Sequence, residues 1–145
     1  MKLVYGADEL LGRWVSHQLG QPIPEGVAIG VERGSRLIAA VVFHNYHGHM
    51  IEASIAATTP SWCSRRVLAA FFGYPFKQAG VQRLQVVCRR RNKRARRFVE
   101  RLGFKFEGIG RRAWSATDDA AIYSMLPHEC RWIDGQEFAK AAACA

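Results

Sequence analysis

"CRRRNKRARRFVERLGF", residues 88–104, is the stretch on which the fold turns. Ala95, Phe98, Val99 and Leu102 recur at i, i+3, i+4 and i+7, the spacing of one buried helical face, and Gly103 follows as a C-terminal cap. The spacing predicts an amphipathic helix beginning near Asn92. Its free N-terminal amides, together with the loop over residues 88–92, make a corner suited to an anion. Residues 89–101 also hold eight Arg or Lys side chains against one acid, Glu100, and so carry +7 of the chain's net +9. The rest of the molecule is close to neutral. Basicity this local serves either a polyanion or one small ligand with several phosphates.

Working outward, "VQRLQVVCR" (81–89) reads as a short buried strand before this helix, and "KFEGIGRRAW" (105–114) and "AAIYSML" (120–126) as a closing pair of strands after it. Upstream, "SWCSRRVLAAFFGYPFKQAG" (61–80) sets Val67, Leu68, Phe71 and Phe72 at helical spacing, with Ser61 or Ser64 to cap the start and Pro75 to kink or end it. "VAIGVE" and "RLIAAVVFHNY" form a β-hairpin about the turn containing Gly34. His47 and Gly48 reverse the chain into "HMIEASIAAT", a third antiparallel strand with Ile51, Ala53, Ile55 and Ala57 on one face. At the N-terminus, "GADELLGRWVSHQLG" predicts a helix burying Leu10, Leu11, Trp14 and Val15, with Asp8 and Glu9 in the first turn where its dipole favours acids. The order is helix, three strands, helix, strand, helix, two strands. It predicts an α/β (α+β) domain over residues 1–145, a mixed, mostly antiparallel sheet flanked by helices, with a core over about 1–132 and a tail over 133–145 that ends as a short or frayed helix.

A chain of 145 residues that is 49% hydrophobic closes one core. It has no long apolar run, and its first residues carry acids where a secretory signal needs an apolar segment, so a cytoplasmic protein without a membrane partner is expected. Cys63, Cys88, Cys130 and Cys144 form no C-x-x-C pair and read as reduced thiols, Cys63 as a packing residue. His44, His47 and His49 straddle a turn and read as a hairpin tip; no metal is expected. Against a small ligand stands a nucleic-acid-binding module placing Arg89, Arg90, Arg91, Lys93, Arg94, Arg96 and Arg97 on phosphates, although no aromatic interleaves with them.

The pattern N-x-x-A-x-x-F-V-x-x-L-G-F-x-x-E-G after a strand, carried by Asn92, Ala95, Gly103, Phe104, Glu107 and Gly108, resembles the second half of GCN5-related N-acetyltransferases, nearest the ribosomal-protein N-terminal acetyltransferase branch. In element order the resemblance spans roughly residues 27–126, and the closing "YSMLPHECRW" is similar to acetyltransferase-like proteins encoded by phages. It implies the acyl-CoA N-acyltransferase fold and direct acetyl transfer from acetyl-CoA to a primary amine, with no covalent intermediate. It implies that pantetheine pairs along Ile55, Ala56 and Ala57, where a backbone N–H meets the thioester carbonyl. Ser64, Arg65 and Arg66 at the following helix start would take the pyrophosphate, while Arg90, Arg91, Asn92 and Arg96 would meet the adenosine 3′-phosphate and pyrophosphate. Asn92 serves equally as a helix cap.

Two departures from the family pattern are plain. The pyrophosphate loop, ordinarily Q/R-x-x-G-x-G/A, is here "SWCSRR" without a glycine, and Val99 stands where many relatives place the tyrosine that protonates the thiolate. For the chemistry, Glu52 is the candidate base and Tyr123 the candidate proton donor. The acceptor stays open among a protein N-terminus, a lysine, a small amine and an RNA-bound amine, and a homodimer is equally open.

Overall fold

The structure is a computed structural model that describes residues 1–133. Its elements are β1 (Lys2–Val4), α1 (Asp8–Leu19), β2 (Val27–Arg33), β3 (Arg36–His44), β4 (Met50–Ala57), α2 (Arg65–Gly73), β5 (Arg83–Arg89), α3 (Lys93–Leu102), β6 (Lys105–Gly110) and β7 (Ala120–Met125). The predicted tail helix and Cys144 lie outside the described residues. β1 escaped the sequence reading because three residues show no period of their own; it forms by pairing antiparallel to β2, Lys2 opposite Glu32.

The sheet runs β1-β2-β3-β4-β5-β7-β6, and every pairing is antiparallel except β4 with β5. Gly34 and Ser35 both take positive φ (56° and 66°), the twist that lets a two-residue turn join β2 to β3 without splaying them. α2 and α3 cover one face, where Val67, Leu68, Phe71, Phe72, Val99 and Leu102 pack on Val41, Phe43, Ile51, Ala53, Leu84 and Val86. α1 covers part of the other face, seating Leu11 and Val15 on Ala28, Ala40, Val42 and Ala56. Leu10, predicted to share that buried face, is 54% exposed: α1 buries Leu11 and Val15 fully and packs Trp14 and Leu19 in part, which turns Leu10 to the outside. α2 ends at Gly73, and Tyr74–Gln78 continues as one π turn holding Pro75, whose missing N–H interrupts the α-helical ladder. No described helix is long and apolar enough to cross a membrane.

Candidate active site

Among the described residues β4 and β5 are the only parallel neighbours, and their pairing stops early. Met50 to Ala53 lie opposite Arg83 to Val86, yet β4 continues to Ala57 against β3 alone. The strands therefore open into a cleft at their carboxyl ends, where ligands of α/β sheets commonly bind. Backbone direction along β4 follows from two fixed points. Thr58 N–H donates to Ile38 O (2.9 Å) on the β3 side, and His49 O accepts from the N–H groups of Gln82 and Arg83 (2.7 and 3.1 Å) on the β5 side. Because these groups alternate, Ile55 and Ala57 turn their N–H toward the opening and Ala56 turns its own toward β3. Ala56 thus drops out of the three predicted strand positions as a backbone donor; its side chain packs on the α1 side.

Each parallel strand leads into a helix on the same face, so α2 and α3 both present their N-termini at the open end. At the β4–α2 corner the chain makes a 3-10 turn, Pro60–Trp62, instead of a glycine loop. The turn engages its own amides: Ser61 N–H donates to Thr59 Oγ1, Cys63 to Pro60 O, and Ser64 to Trp62 O. Ser64, not Ser61, caps α2, its Oγ accepting from Val67 N–H at 3.2 Å. The amides of Arg65 and Arg66 have no partner among the described residues and point from the helix start, where an anion is favoured. The Arg65 side chain is exposed and has no partner among the described residues, while the Arg66 guanidinium donates to Met1 O at 3.2 Å.

At the β5–α3 corner the charges meet acids that sequence spacing did not reveal. Arg89 and Arg91 both pair with Asp118, at 2.7 and 2.5 Å, and Arg90 pairs with Asp119 at 3.1 Å. Asp119 also accepts from Arg112 N–H. The hydrogen bond from Arg89, then that from Arg91, holds the Asp118 carboxyl down from 3.8 to about 2 against the cost of desolvation. Arg90 and Arg91, expected from the sequence to meet a phosphate, here pair with the β6–β7 loop instead. Arg96 is similarly engaged, donating to Tyr123 Oη (3.0 Å) and to Arg90 O (3.2 Å) and lying over the Phe106 ring. Asn92 caps α3 through Ala95 N–H at 3.0 Å.

Tyr123 is fully buried, and its hydroxyl donates to Glu100 Oε1 at 2.9 Å while accepting from Arg96. Burial raises its pKa, and β5 separates its strand from the cleft. Both partners of the hydroxyl, Arg96 and Glu100, lie on α3.

Glu52 lies on the opposite face of the sheet, the one Ala56 turns to α1. Its Oε1 accepts from Gln85 Nε2 (2.9 Å), whose Oε1 accepts from Arg83 Nη2 (2.8 Å); Arg83 in turn pairs with Glu107. On its other side His44 Nε2 stands 3.9 Å from Glu52 Oε2 and 2.7 Å from Ser54 Oγ. His44 is not at the hairpin tip: it ends β3 opposite Glu52 and is 4% exposed, with Nδ1 unpartnered. Burial lowers its pKa, with Glu52 opposing, so the ring is neutral at ordinary pH. Gly26 makes this packing possible, since a Cβ there would lie 1.8 Å from Phe43 O. Sequence reasoning missed His44, Gln85 and Arg83. The usable signal was register: Glu52 faces His44 across one ladder and Gln85 across the other. Cys63 is half-buried, and desolvation raises its thiol pKa, the opposite of an activated nucleophile.

A seven-stranded sheet in this order, with one parallel pair that opens at its carboxyl end and helices on both faces, is the acyl-CoA N-acyltransferase fold. Solved structures that share it are GNAT-family acetyltransferases. They include yncA of Salmonella typhimurium, solved with its cofactor acetyl-CoA (TM-score 0.67, 9% identity, 86% of this chain and 92% of that one). A mutant of the spermidine N-acetyltransferase SpeG of Vibrio cholerae matches at TM-score 0.65 and 15% identity, over 87% and 95%. A GCN5-related N-acetyltransferase from Brucella melitensis matches at TM-score 0.56 and 25% identity, over 70% of this chain. This chain spans 51% of the Brucella protein's length and 61% of a further acetyltransferase's. No protein-family model and no curated protein matches the sequence.

Proposed function

We propose that this protein is an N-acetyltransferase that moves an acetyl group from acetyl-CoA directly to a primary amine in the β4–β5 opening. The observation that carries the reading is the strand edge itself: Ile55 and Ala57 N–H groups left without a β5 partner, on a strand whose next helix offers two open amides. That edge fits an extended pantetheine arm, and the Arg65 and Arg66 amides fit its pyrophosphate. Glu52, held by Gln85 and backed by His44, takes the proton of the attacking amine, directly or through one water. A β4 amide donates to the developing oxyanion. The departing thiolate takes its proton from water, since Val99 replaces the family tyrosine and Tyr123 is engaged by α3. The acceptor is a protein N-terminus, a lysine or a small amine.

Thermal-shift titration tests binding first: acetyl-CoA should raise Tm saturably. Replacing Glu52→Gln keeps the hydrogen-bonding shape and should leave that shift intact while lowering kcat/KM roughly 10²- to 10⁴-fold across an amine panel. No shift at millimolar acetyl-CoA would sink the reading.

A further inference from the structure

The acetyltransferase reading leaves part of the basic segment without employment. Of the eight cations in residues 89–101, Arg89, Arg90, Arg91 and Arg96 are engaged internally. Lys93, Arg94, Arg97 and Arg101 are exposed, and their side chains make no ion pair or hydrogen bond among the described residues. At 3.6 residues per turn these four fall within an arc of about 100° and a length of about 12 Å. That arc lies opposite the buried residues Val99 and Leu102, so it faces outward along the whole of α3. Arg131 extends it: its guanidinium donates to Arg101 O at the end of α3 and lies over the Trp132 ring, 4.4 Å from the centroid. Lys93 and Arg97, and Arg97 and Arg101, stand at i,i+4, so the helix keeps like charges in its least favourable spacing. Asp118 and Asp119 are held by the neighbouring arginines, and Glu100, three residues after Arg97, accepts from Tyr123 Oη instead.

We infer that this outer face of α3, with Arg131, is a docking surface for the phosphate backbone of double-stranded nucleic acid. Four of its five cations are arginine, whose planar fork matches a phosphate's oxygens in pairs. The row is straight and rigid because its opposite side is packed on the sheet. It holds no Asn or Gln to read base edges, its own aromatic Phe98 packs against the core, and the exposed ring of Phe106 beside it is engaged by Arg96. Such a surface positions a duplex without selecting its sequence. It also differs from the seven-residue set anticipated from the sequence, of which four members are engaged internally.

Fluorescence anisotropy with a 16-base-pair DNA duplex, and with an RNA duplex of equal length, tests the surface on the full chain. Five phosphate contacts predict roughly a 500-fold loss of affinity between 50 and 200 mM salt. The combined variant Lys93→Gln, Arg94→Gln, Arg97→Gln, Arg101→Gln retains one contact and should lose only about fourfold over that range, binding far more weakly at 50 mM. Its Tm should not fall, because it relieves like-charge contacts, and its acetyl-CoA shift should be unchanged. Arg90→Gln with Arg91→Gln should leave the duplex affinity in place. The inference is overturned if neither duplex binds at 50 mM salt, or if the combined variant keeps the wild-type salt slope. It is equally overturned if acetyl-CoA displaces the duplex, or if anionic phospholipid vesicles or an acidic peptide bind more tightly at the same salt. None of these outcomes depends on whether acetyl transfer is detected.

Discussion

Two corners flank the open end of β4 and β5, built from similar materials and left in different states. The β5–α3 corner has three consecutive arginines and a capped helix start, but Asp118 and Asp119 arrive from the β6–β7 loop and engage all three arginines. The β4–α2 corner has only Arg65 and Arg66 and no glycine, and its 3-10 turn satisfies its own amides. Even so, among the described residues it keeps two open N–H groups and an unpaired guanidinium. Charge counted along a chain is therefore a poor guide to charge available to a ligand; what matters is which acids the fold delivers. The weaker corner in sequence is the stronger candidate for phosphate in the structure.

Reversing the charge of the β4–α2 corner gives the largest expected effect. Arg65→Glu with Arg66→Glu should weaken acetyl-CoA binding by about 100-fold or more, some 2.7 kcal/mol, in a calorimetric titration. The same titration on Arg90→Gln with Arg91→Gln should change binding by less than about threefold, because those charges are already paired. Equal losses from the two pairs would erase the distinction between the corners.

Asp118→Asn should lower Tm and increase amide exchange over residues 111–119, leaving acetyl-CoA binding close to wild type. The sign with pH follows from its depressed pKa: the Asp118 contribution is complete above about pH 4 and is lost as pH falls toward about 2. Wild type should therefore lose its advantage over Asp118→Asn across that window in acid unfolding curves. A difference that persists unchanged at pH 2 would mean the loop is held by other contacts.

The smallest effects separate capping from ligand contact. Ser64→Ala and Asn92→Ala each remove one helix cap and should cost about 1 kcal/mol in denaturant unfolding. Only Ser64→Ala should also weaken acetyl-CoA, since its hydroxyl proton remains free to donate while its oxygen accepts from Val67 N–H. A matching affinity loss in Asn92→Ala would return the β5–α3 corner to the ligand.

Much of the fold was legible because its elements carry strong local periods. The 3.6-residue repeat of Ala95, Val99 and Leu102 gave α3 with its start, and the alternation in 49–58 gave β4. β1 was not legible, since three residues gain strand geometry only from their partner. Glu52 was legible as a polar residue on an alternating strand; its support from His44 and Gln85 was not, since it depends on two registers.

By itself, then, the sequence determined the order of every element but β1, the cap of α3, the hairpin turn and the concentration of positive charge between β5 and β6. These follow from neighbours a few residues apart. Only the tertiary structure decided which of those charges stay free, that Asp118 and Asp119 reach back some 29 positions to bind the first three arginines, and that Tyr123 turns its hydroxyl to α3. The physical reason is that an ion pair or a buried hydrogen bond forms by distance in space, and sheet order, in which β7 lies between β5 and β6, sets those distances.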